Sequence, residues 1–192
     1  MRSDGPAGSI PSAVLVALYE ENGEAGVVLT RRAKALRYHR GEVSFPGGRQ
    51  DRGETPEQCA LREAHEETNL DRALVEIVGR LSPLTTFSSQ SWITPVVGVL
   101  RDKPELSPSP LEVERVLYVE LAALVSDGVF REERWPVRVA AELSSEPSQT
   151  RIGFPALDPD GTFPVWFFEL PGDTVWGATA RVLVELLMTT LG

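Results

Sequence analysis

Three glutamates stand at a spacing that can support chemistry. Glu63, Glu66 and Glu67 occupy positions i, i+3 and i+4, so on a helix their carboxylates project from one face. Like charges at this spacing destabilise a helix, and the cluster needs solvent, cations or a bound metal to offset the repulsion. Hard divalent cations such as Mg²⁺ take carboxylate and carbonyl oxygens and bridge to substrate phosphates. The glutamates alone favour a solvated acidic helix face, so the choice depends on their context.

The residues before the glutamates supply the elements that must position them. Gly47-Gly48 lets the backbone approach a ligand or turn a carbonyl towards a metal. Arg62 is expected to point to a different side from Glu63 and to pair with Glu54, which would fasten the loop to the helix. Such a platform favours the metal site over the solvated face.

The helix itself has clear boundaries in the sequence. Thr55 and Gln58 fit a capping box, and Pro56 stands at the first helical position. The helix is expected to stop near Asn69, because Asn tolerates the left-handed conformation that is common just past a helix end.

With these residues in view, the chain resembles the Nudix hydrolases. The Nudix box has a fixed spacing, and this sequence matches it at Gly48, Glu54, Arg62-Glu63, Ala64, Glu66-Glu67 and Leu70. Asn69 stands where the family has its final glycine, and Ala64 is a small choice for an apolar position. The resemblance implies an α/β fold, an α/β/α sandwich with a mixed β-sheet.

The resemblance extends to the coenzyme A diphosphatase branch of that family. The similar segments are Leu29-Thr30-Arg31-Arg32-Ala33, Leu36, His39, Gly41-Glu42-Val43, Phe45-Pro46-Gly47-Gly48 and the closing Val175-Trp176-Gly177-Ala178-Thr179-Ala180-Arg181. Val28 replaces a usual leucine. The branch implies hydrolysis of coenzyme A or its derivatives to 4'-phosphopantetheine, or its acyl form, and adenosine 3',5'-bisphosphate.

The family also implies a mechanism. Mg²⁺ or Mn²⁺ held by Glu63, Glu66 and Glu67, with the Gly48 carbonyl as a further ligand, would neutralise the diphosphate and activate water. The general base remains open between Glu63 and a carboxylate of residues 112–114.

The net charge of −9 argues against general binding to nucleic acid or to an anionic membrane, so cations must be judged locally. The densest basic segment lies just ahead of the glycines and invites an anionic substrate; its members are Arg31, Arg32, Lys34, Arg37, His39 and Arg40. His39 is equally compatible with satisfying a backbone group. For each cation alone, a solvated loop is the simpler interpretation.

Length and composition predict one soluble domain. The 192 residues are 42% hydrophobic, which suits a single core over residues 12–192, preceded by a flexible tail at residues 1–11. That tail lacks the apolar centre of a signal peptide, so a cytoplasmic location is expected. Cys59, the single cysteine, is expected to be a core residue without chemistry. The sequence leaves a homodimer open.

The predicted order is three strands, the glutamate-bearing helix, five further strands and a final helix. Strands are expected at residues 13–19, 26–31, 42–45, 74–80, 92–101, 112–121, 154–157 and 163–170. Asn22-Gly23 predicts a tight hairpin, Pro95 predicts an edge strand or a bulge, and residues 158–161 predict a second hairpin. A final helix is expected through Trp176, Ala180, Leu183 and Leu187 with Asp173 as its cap, whereas residues 128–150 carry no clear pattern.

Two other functions remain compatible with the sequence. A Nudix hydrolase of ADP-ribose or a nucleoside triphosphate would keep the box without needing the basic signature. A non-catalytic nucleotide sensor would be expected to lose a metal carboxylate, and none is missing here.

Overall fold

The computed structural model describes residue 5 and residues 8–34, 40–86, 91–136 and 160–191. Within these residues a main sheet contains β1 (Ile10–Glu21), β2 (Glu24–Arg32), β3 (Val43–Ser44), β4 (Gly47–Arg49), β5 (Glu76–Arg80), β6 (Leu84–Thr85), β7 (Ser91–Val99) and β8 (Val113–Glu120). A small sheet contains β9 (Phe130–Pro136), β10 (Thr162–Leu170) and β11 (Asp173–Trp176). The helices are α1 (Pro56–Thr68), α2 (Leu121–Leu124) and α3 (Gly177–Leu191), with a 3-10 turn at Arg72–Leu74.

The predicted hairpin between β1 and β2 is confirmed. Glu21 pairs with Glu24 across a two-residue turn, and Asn22 and Gly23 have φ angles of 55° and 85°. Both values lie in the left-handed region that a type I′ turn requires, which is why Asn-Gly is favoured there.

The main sheet is mixed because β1 and β7 run parallel at its centre. They pair from Ile10 with Ser91 to Leu18 with Val99, whereas the remaining pairs of this sheet are antiparallel. Side chains of β1 alternate between two buried clusters, with Val16 on one face and Leu15 and Ala17 on the other. A strand buried on both faces reads as a nearly continuous apolar run, which β1 does.

The expectation that Pro95 marks an edge strand or a bulge is wrong, since the irregular register of β7 with β5 lies opposite Gly98 and Val97. β7 lies between β1 and β5, and Pro95 falls after the β6 pairing at Ile93 and before the β5 pairing at Val96. Its carbonyl accepts a hydrogen bond from Leu81 N at 3.0 Å. In a β-strand the N–H and the C=O of one residue point to the same side. The N–H that Pro95 lacks would therefore point towards the gap between the β6 and β5 pairings, where the ladder of hydrogen bonds is already interrupted.

The sheet is covered by helix on both faces, which confirms the α/β/α sandwich. Helix α1 packs Cys59, Ala60 and Ala64 against one face. The other face carries α3 through Leu183 and Leu186, together with α2 and the inner side of the small sheet. In the described part of the chain, none of the helices has the length and apolarity that a membrane-spanning segment needs.

Several predicted boundaries need correction. β1 begins at Ile10, so two residues assigned to the tail belong to the sheet. Asp173 is not a helix cap and Trp176 is not in the helix: they open and end β11, which pairs with β10, and α3 begins only at Gly177. Leu74, the predicted start of a strand, ends the 3-10 turn, and β5 begins at Glu76.

The part of the sequence without a clear pattern contains a strand. β9 pairs with β10 over its length, although most of its side chains are exposed and give no apolar alternation. The strand predicted at residues 154–157 lies outside the described residues.

Both predicted ends of α1 are confirmed. The side chain of Thr55 accepts a hydrogen bond from Gln58 N at 3.3 Å, and the Gln58 side chain accepts one from Thr55 N at 2.9 Å. Asn69 caps the other end with φ 57° and ψ 27°, and its N–H donates to His65 O at 2.8 Å.

Substitutions at Asn69 should depend on this left-handed conformation. Asn69→Gly is expected to remain as stable as the parent, since glycine adopts positive φ without strain. Asn69→Val should lose about 1 kcal/mol or more of unfolding free energy, because a β-branched residue is strained there. Thermal and denaturant unfolding of the three proteins measures the difference, and equal stabilities would contradict the proposed cap.

Candidate functional site

Strand β4 brings the two glycines against helix α1. Gly47 pairs with Val14 and Gly48 with Ala13 of β1, and α1 lies across β4 on the outer side. A Cβ on Gly47 would collide with the Ala13 carbonyl oxygen and lie 2.6 Å from Val14 Cα. Only glycine therefore fits against β1 at this position.

Glu67 is the buried carboxylate of the site. Its side chain accepts a hydrogen bond from Gly47 N at 3.2 Å, and Arg32 Nη1 lies 3.6 Å from its other oxygen. The residue is 2% exposed, and burial raises its pKa to about 8, against the lowering effects of Arg32 and Gly47 N. Glu63 and Glu112 add to the rise. The interactions of Glu67 with Arg32 and Gly47 N thus do not offset the cost of burying its negative charge.

Glu63 packs directly on the second glycine. A Cβ on Gly48 would lie 2.5 Å from the Glu63 carboxyl carbon. Burial raises the pKa of Glu63 even though Arg62 Nη1 donates to it at 2.8 Å, and the charges of Glu66 and Glu112 contribute to the rise. Glu63 and Glu67, one turn apart on α1, therefore both face the glycine strand.

Arg62 holds the loop and two of the glutamates at once. Its Nε and Nη2 donate to the two oxygens of Glu54 at 2.9 and 3.0 Å, which is the predicted pair in bidentate form. Its Nη2 also donates to Arg49 O at 3.0 Å. The Arg62 hydrogen bond is the main reason that the pKa of Glu54 is lowered.

The expectation that Arg62 and Glu63 face different sides is wrong. Arg62 Nη1 donates to Glu63 at 2.8 Å and to Glu66 at 3.1 Å. The long side chain and its fork of donors span the gap between the loop and the helix face.

Glu66 is not gathered with the other two glutamates. Its side chain is 52% exposed and turns to Arg62. Among the described residues no three His, Cys, Asp or Glu side chains are arranged to hold one ion.

The chemistry of the donor set nevertheless fits a hard divalent cation. Glu63 and Glu67 are carboxylates whose charge is penalised by burial, and they flank the backbone of Gly48. Oxygen donors of this kind suit Mg²⁺ or Mn²⁺. Glu66 would join them by exchanging its contact with Arg62.

The loop before β8 adds the carboxylate of Glu112 to the site, where the sequence predicted only that a carboxylate of residues 112–114 could lie there. Ser107 N and Ser109 N donate to the free carbonyls of Thr68 and Glu67 at 3.0 and 2.8 Å, so the loop docks on the end of α1. Glu112 then lies near enough to raise the pKa of Glu63 and Glu67. Glu114 instead faces Arg31 at 3.7 Å, and so Glu112 is the residue of this region that faces the site.

The predicted basic residues do not form one group. Arg31 pairs with Asp173 at 3.0 Å on the α3 side of the sheet, whereas Arg32 faces Glu67 on the α1 side. Lys34 is exposed and lies 3.9 Å from Glu114. Arg40 is exposed and makes no ion pair with another described residue. Arg37 and His39 lie outside the described residues.

Cys59 is buried beneath the glycine strand. Its thiol lies 3.5 Å from Gly48 O, and burial raises its pKa to about 12. A thiol that stays protonated is a poor nucleophile, so the expectation of a core residue holds.

The chain is similar in sequence to known proteins. The family profile described as NUDIX domain matches residues 9–140. Nudix hydrolase 22, chloroplastic, of Arabidopsis thaliana is 34% identical over 91% of this chain and 53% of its own length. The peroxisomal coenzyme A diphosphatase NUDT7 of Mus musculus is 36% identical over 63% of this chain and 51% of its own. This chain thus spans about half the length of these two curated relatives.

Solved structures agree on the fold. The crystal structure of a MutT/nudix family protein from Enterococcus faecalis covers 100% of this chain and 65% of its own, with a TM-score of 0.58 at 15% identity. At that identity the likeness concerns the fold alone.

The two glycines should respond differently to alanine. Gly47→Ala is expected to lose about 2 kcal/mol or more of unfolding free energy, because its Cβ meets backbone atoms of β1. Gly48→Ala should lose less than half as much, since its Cβ meets only the movable end of Glu63. Denaturant unfolding compares the two variants, with Gly79→Ala as a control whose Cβ meets nothing. Equal losses at Gly47 and Gly48 would contradict this packing.

Proposed function

The chain belongs to the Nudix family, and on that premise we propose that it hydrolyses the diphosphate bond of coenzyme A or its acyl derivatives. The products are 4'-phosphopantetheine, or its acyl form, and adenosine 3',5'-bisphosphate. The observation that carries the chemistry is the pair of carboxylates set against Gly47-Gly48, with Glu67 fully buried and Glu63 partly buried. The mouse coenzyme A diphosphatase supports the choice of substrate.

The cation would be held by Glu63, Glu66, Glu67 and the Gly48 carbonyl. Bound there, Mg²⁺ or Mn²⁺ would supply charge neutralisation for the diphosphate and a lowered pKa for water. Arg62 serves this set indirectly, because it anchors Glu54 and the Arg49 carbonyl and keeps the β4–α1 loop in register with the helix.

Glu112 is the proposed proton acceptor for the attacking water. Its side chain is exposed, and its charge raises the pKa of both Glu63 and Glu67. Its backbone is fixed to the end of β2, because Ala33 N donates to Glu112 O at 2.8 Å. Glu63, the other candidate, already accepts from Arg62 and packs on Gly48. A carboxylate oxygen of Glu112 is therefore better placed to take a proton from solvent-side water.

The 3'-phosphate of coenzyme A needs a cation that is not already committed. Arg31 is ion-paired with Asp173, and Arg32 lies 3.6 Å from Glu67, so both guanidinium groups already face a carboxyl group. Arg40, which is exposed and makes no ion pair with another described residue, is the proposed partner, and the exposed Lys34, 3.9 Å from Glu114, is the second candidate. Arg37 and His39 stay predicted substrate residues.

Residues 12–192 are proposed to form one domain, supported by the continuous core that joins β1 to α3. A cytoplasmic location and a homodimer stay predictions, and the names of the plant and mouse relatives assign those proteins to chloroplasts and peroxisomes.

Glu67→Gln tests the proposed chemistry. Turnover with Mg²⁺ should fall by about two powers of ten or more, because the amide cannot replace the anionic oxygen. The fold should survive, since Gln keeps an acceptor for Gly47 N. Steady-state assays of coenzyme A cleavage measure the loss, and near-normal turnover would contradict the metal platform.

Stability provides the control for this variant. Burial raises the pKa of Glu67 from its ordinary value of 4.5 to about 8, so the folded protein holds this proton more tightly than the unfolded chain does. The free energy of unfolding therefore falls as the pH rises from 4.5 through about 8. In EDTA at pH 8 to 9 the variant should therefore melt no lower than the parent.

A substrate panel tests the choice of coenzyme A. The expected kcat/KM is higher for coenzyme A than for dephospho-coenzyme A, ADP-ribose or nucleoside triphosphates, by about one to two powers of ten for a charged phosphate contact. Arg40→Glu should narrow the ratio of coenzyme A to dephospho-coenzyme A and slow ADP-ribose less.

The matched control is Lys103→Glu. Lys103 pairs with Glu21 at the β1–β2 turn, at the other end of β1 from the Val14–Gly47 pair. It should leave the ratio unchanged. A preference for ADP-ribose or a triphosphate would overturn the coenzyme A assignment and leave the Nudix chemistry in place.

A further inference from the structure

An aromatic groove lies beside the end of β2, and nothing in the sequence analysis predicted it. Three rings line it from the outer face of the small sheet: Trp135 of β9, Phe167 of β10 and Trp176 of β11. Arg31, Glu42 and Glu169 line its polar side, and its volume is about 690 Å³. Cavities of this size hold nucleotide-sized groups.

The rings are arranged by the strand register. Phe167 and Trp176 are directly opposite in the β10–β11 pair, with ring planes 8° apart and centroids 6.3 Å apart. Trp135 lies 6.4 Å from Trp176 on the same face. The preceding residue, Val175, faces the opposite way and is fully buried in the core. The aromatic face is therefore turned away from the core by the alternation of the strand.

Trp176 is the ring that remains open to a ligand. It is 40% exposed, whereas Phe167 is buried and the Arg131 guanidinium lies over it at 3.8 Å from the ring centroid. An exposed indole beside a groove is an apolar surface that a planar group can cover.

The polar side of the groove disfavours a phosphate. Glu42, Glu169 and Asp173 contribute carboxylates, and the Arg31 guanidinium is held by Asp173 at 3.0 Å and by Gly172 O at 3.5 Å. Asp173 is paired with both Arg31 and Arg115, and Glu169 accepts from Arg131 and Thr174. The one cation among the described residues that line the groove, Arg31, is therefore committed and does not attract a phosphate, whereas the carboxylate oxygens can accept a further N–H donor. A neutral planar group with an amino donor, which is the chemistry of adenine, satisfies both the indole and the carboxylates.

The groove and the carboxylate pair share the end of β2. Arg31 faces the groove and the next residue, Arg32, faces Glu67. Arg32 N donates to the backbone oxygen of Glu42, which itself lines the groove, at 3.0 Å. A nucleotide whose base lies in the groove would reach the carboxylates with its diphosphate by passing the end of this strand.

We propose that the aromatic groove binds the adenine base of the substrate, with Trp176 as the stacking ring. This inference rests on the proposed function for the identity of the nucleotide. It assigns Arg31 to the base side of the site, where it orders the rim through Asp173, and leaves the phosphates to other cations.

Adenosine carries the base without a phosphate, so its binding tests the groove separately from the hydrolytic activity. Its binding to the full chain is measured by titration calorimetry in EDTA, with ribose 5-phosphate as the ligand that lacks a base. Adenosine should bind and ribose 5-phosphate should not. Trp176→Ala should weaken adenosine about tenfold, whereas Trp176→Phe should keep most of the affinity.

Two further variants serve as controls. Met188→Ala removes another exposed apolar side chain far along α3 and should leave adenosine binding unchanged. Glu67→Gln should also bind adenosine normally, because adenosine carries no phosphate. With coenzyme A as substrate, the loss in Trp176→Ala should appear mainly as a raised KM.

The outcomes are distinguishable. Absent adenosine binding, or equal affinity in the parent and Trp176→Ala, overturns the inference whatever the protein hydrolyses. Pantetheine binding that Trp176→Ala abolishes would assign the groove to the other arm of coenzyme A and also overturns it. Adenosine binding that depends on Trp176 supports the inference, even where coenzyme A is not cleaved and the proposed function falls.

Discussion

The close approach of helix α1 to the Gly47-Gly48 strand is the constraint on which the rest of the structure depends. Gly47 has no room for a side chain against the backbone of β1, and a Cβ on Gly48 would displace the carboxyl group of Glu63. The Gly47 N–H bonds directly to Glu67 at 3.2 Å. The position of the site is therefore set by two regular elements, the backbone of β4 and the capped helix α1, which hold it more rigidly than a loop would.

This approach creates an electrostatic cost that the fold only partly offsets. Arg62 uses its fork of donors on Glu54, Glu63 and Glu66, and Arg32 faces Glu67 at 3.6 Å. Burial still raises the pKa of both Glu63 and Glu67. Buried carboxylates in this state do not stabilise a protein, so their placement is better explained by binding than by stability.

The sequence predicted what is local and missed what is distant. The caps of α1 lie within a few residues of the bonds they make, and the Asn22-Gly23 turn sets its own geometry. Asp173 was misassigned because its partners, Arg31 and Arg115, lie far away in the sequence. The pairing of β4 with β1 and the exposed strand β9 likewise depend on tertiary contacts without a periodic pattern. Of the candidate site, the box residues were found through fixed spacing, whereas the groove joins residues from Arg31 to Trp176 and has no local signal.

The end of β2 explains how one strand can serve two sides of the site. Its register with β8 shifts between Arg31 and Arg32, which pair with Arg115 and Val113 and leave Glu114 as the extra residue. Such a bulge re-aims side chains at the end of a ladder. Glu114 turns to Arg31, and Glu112 remains on the side of the buried glutamates. Because strand side chains alternate, a slip of one residue would exchange the roles of Arg31 and Arg32. The bulge therefore fixes which arginine balances Glu67 and which one borders the aromatic groove.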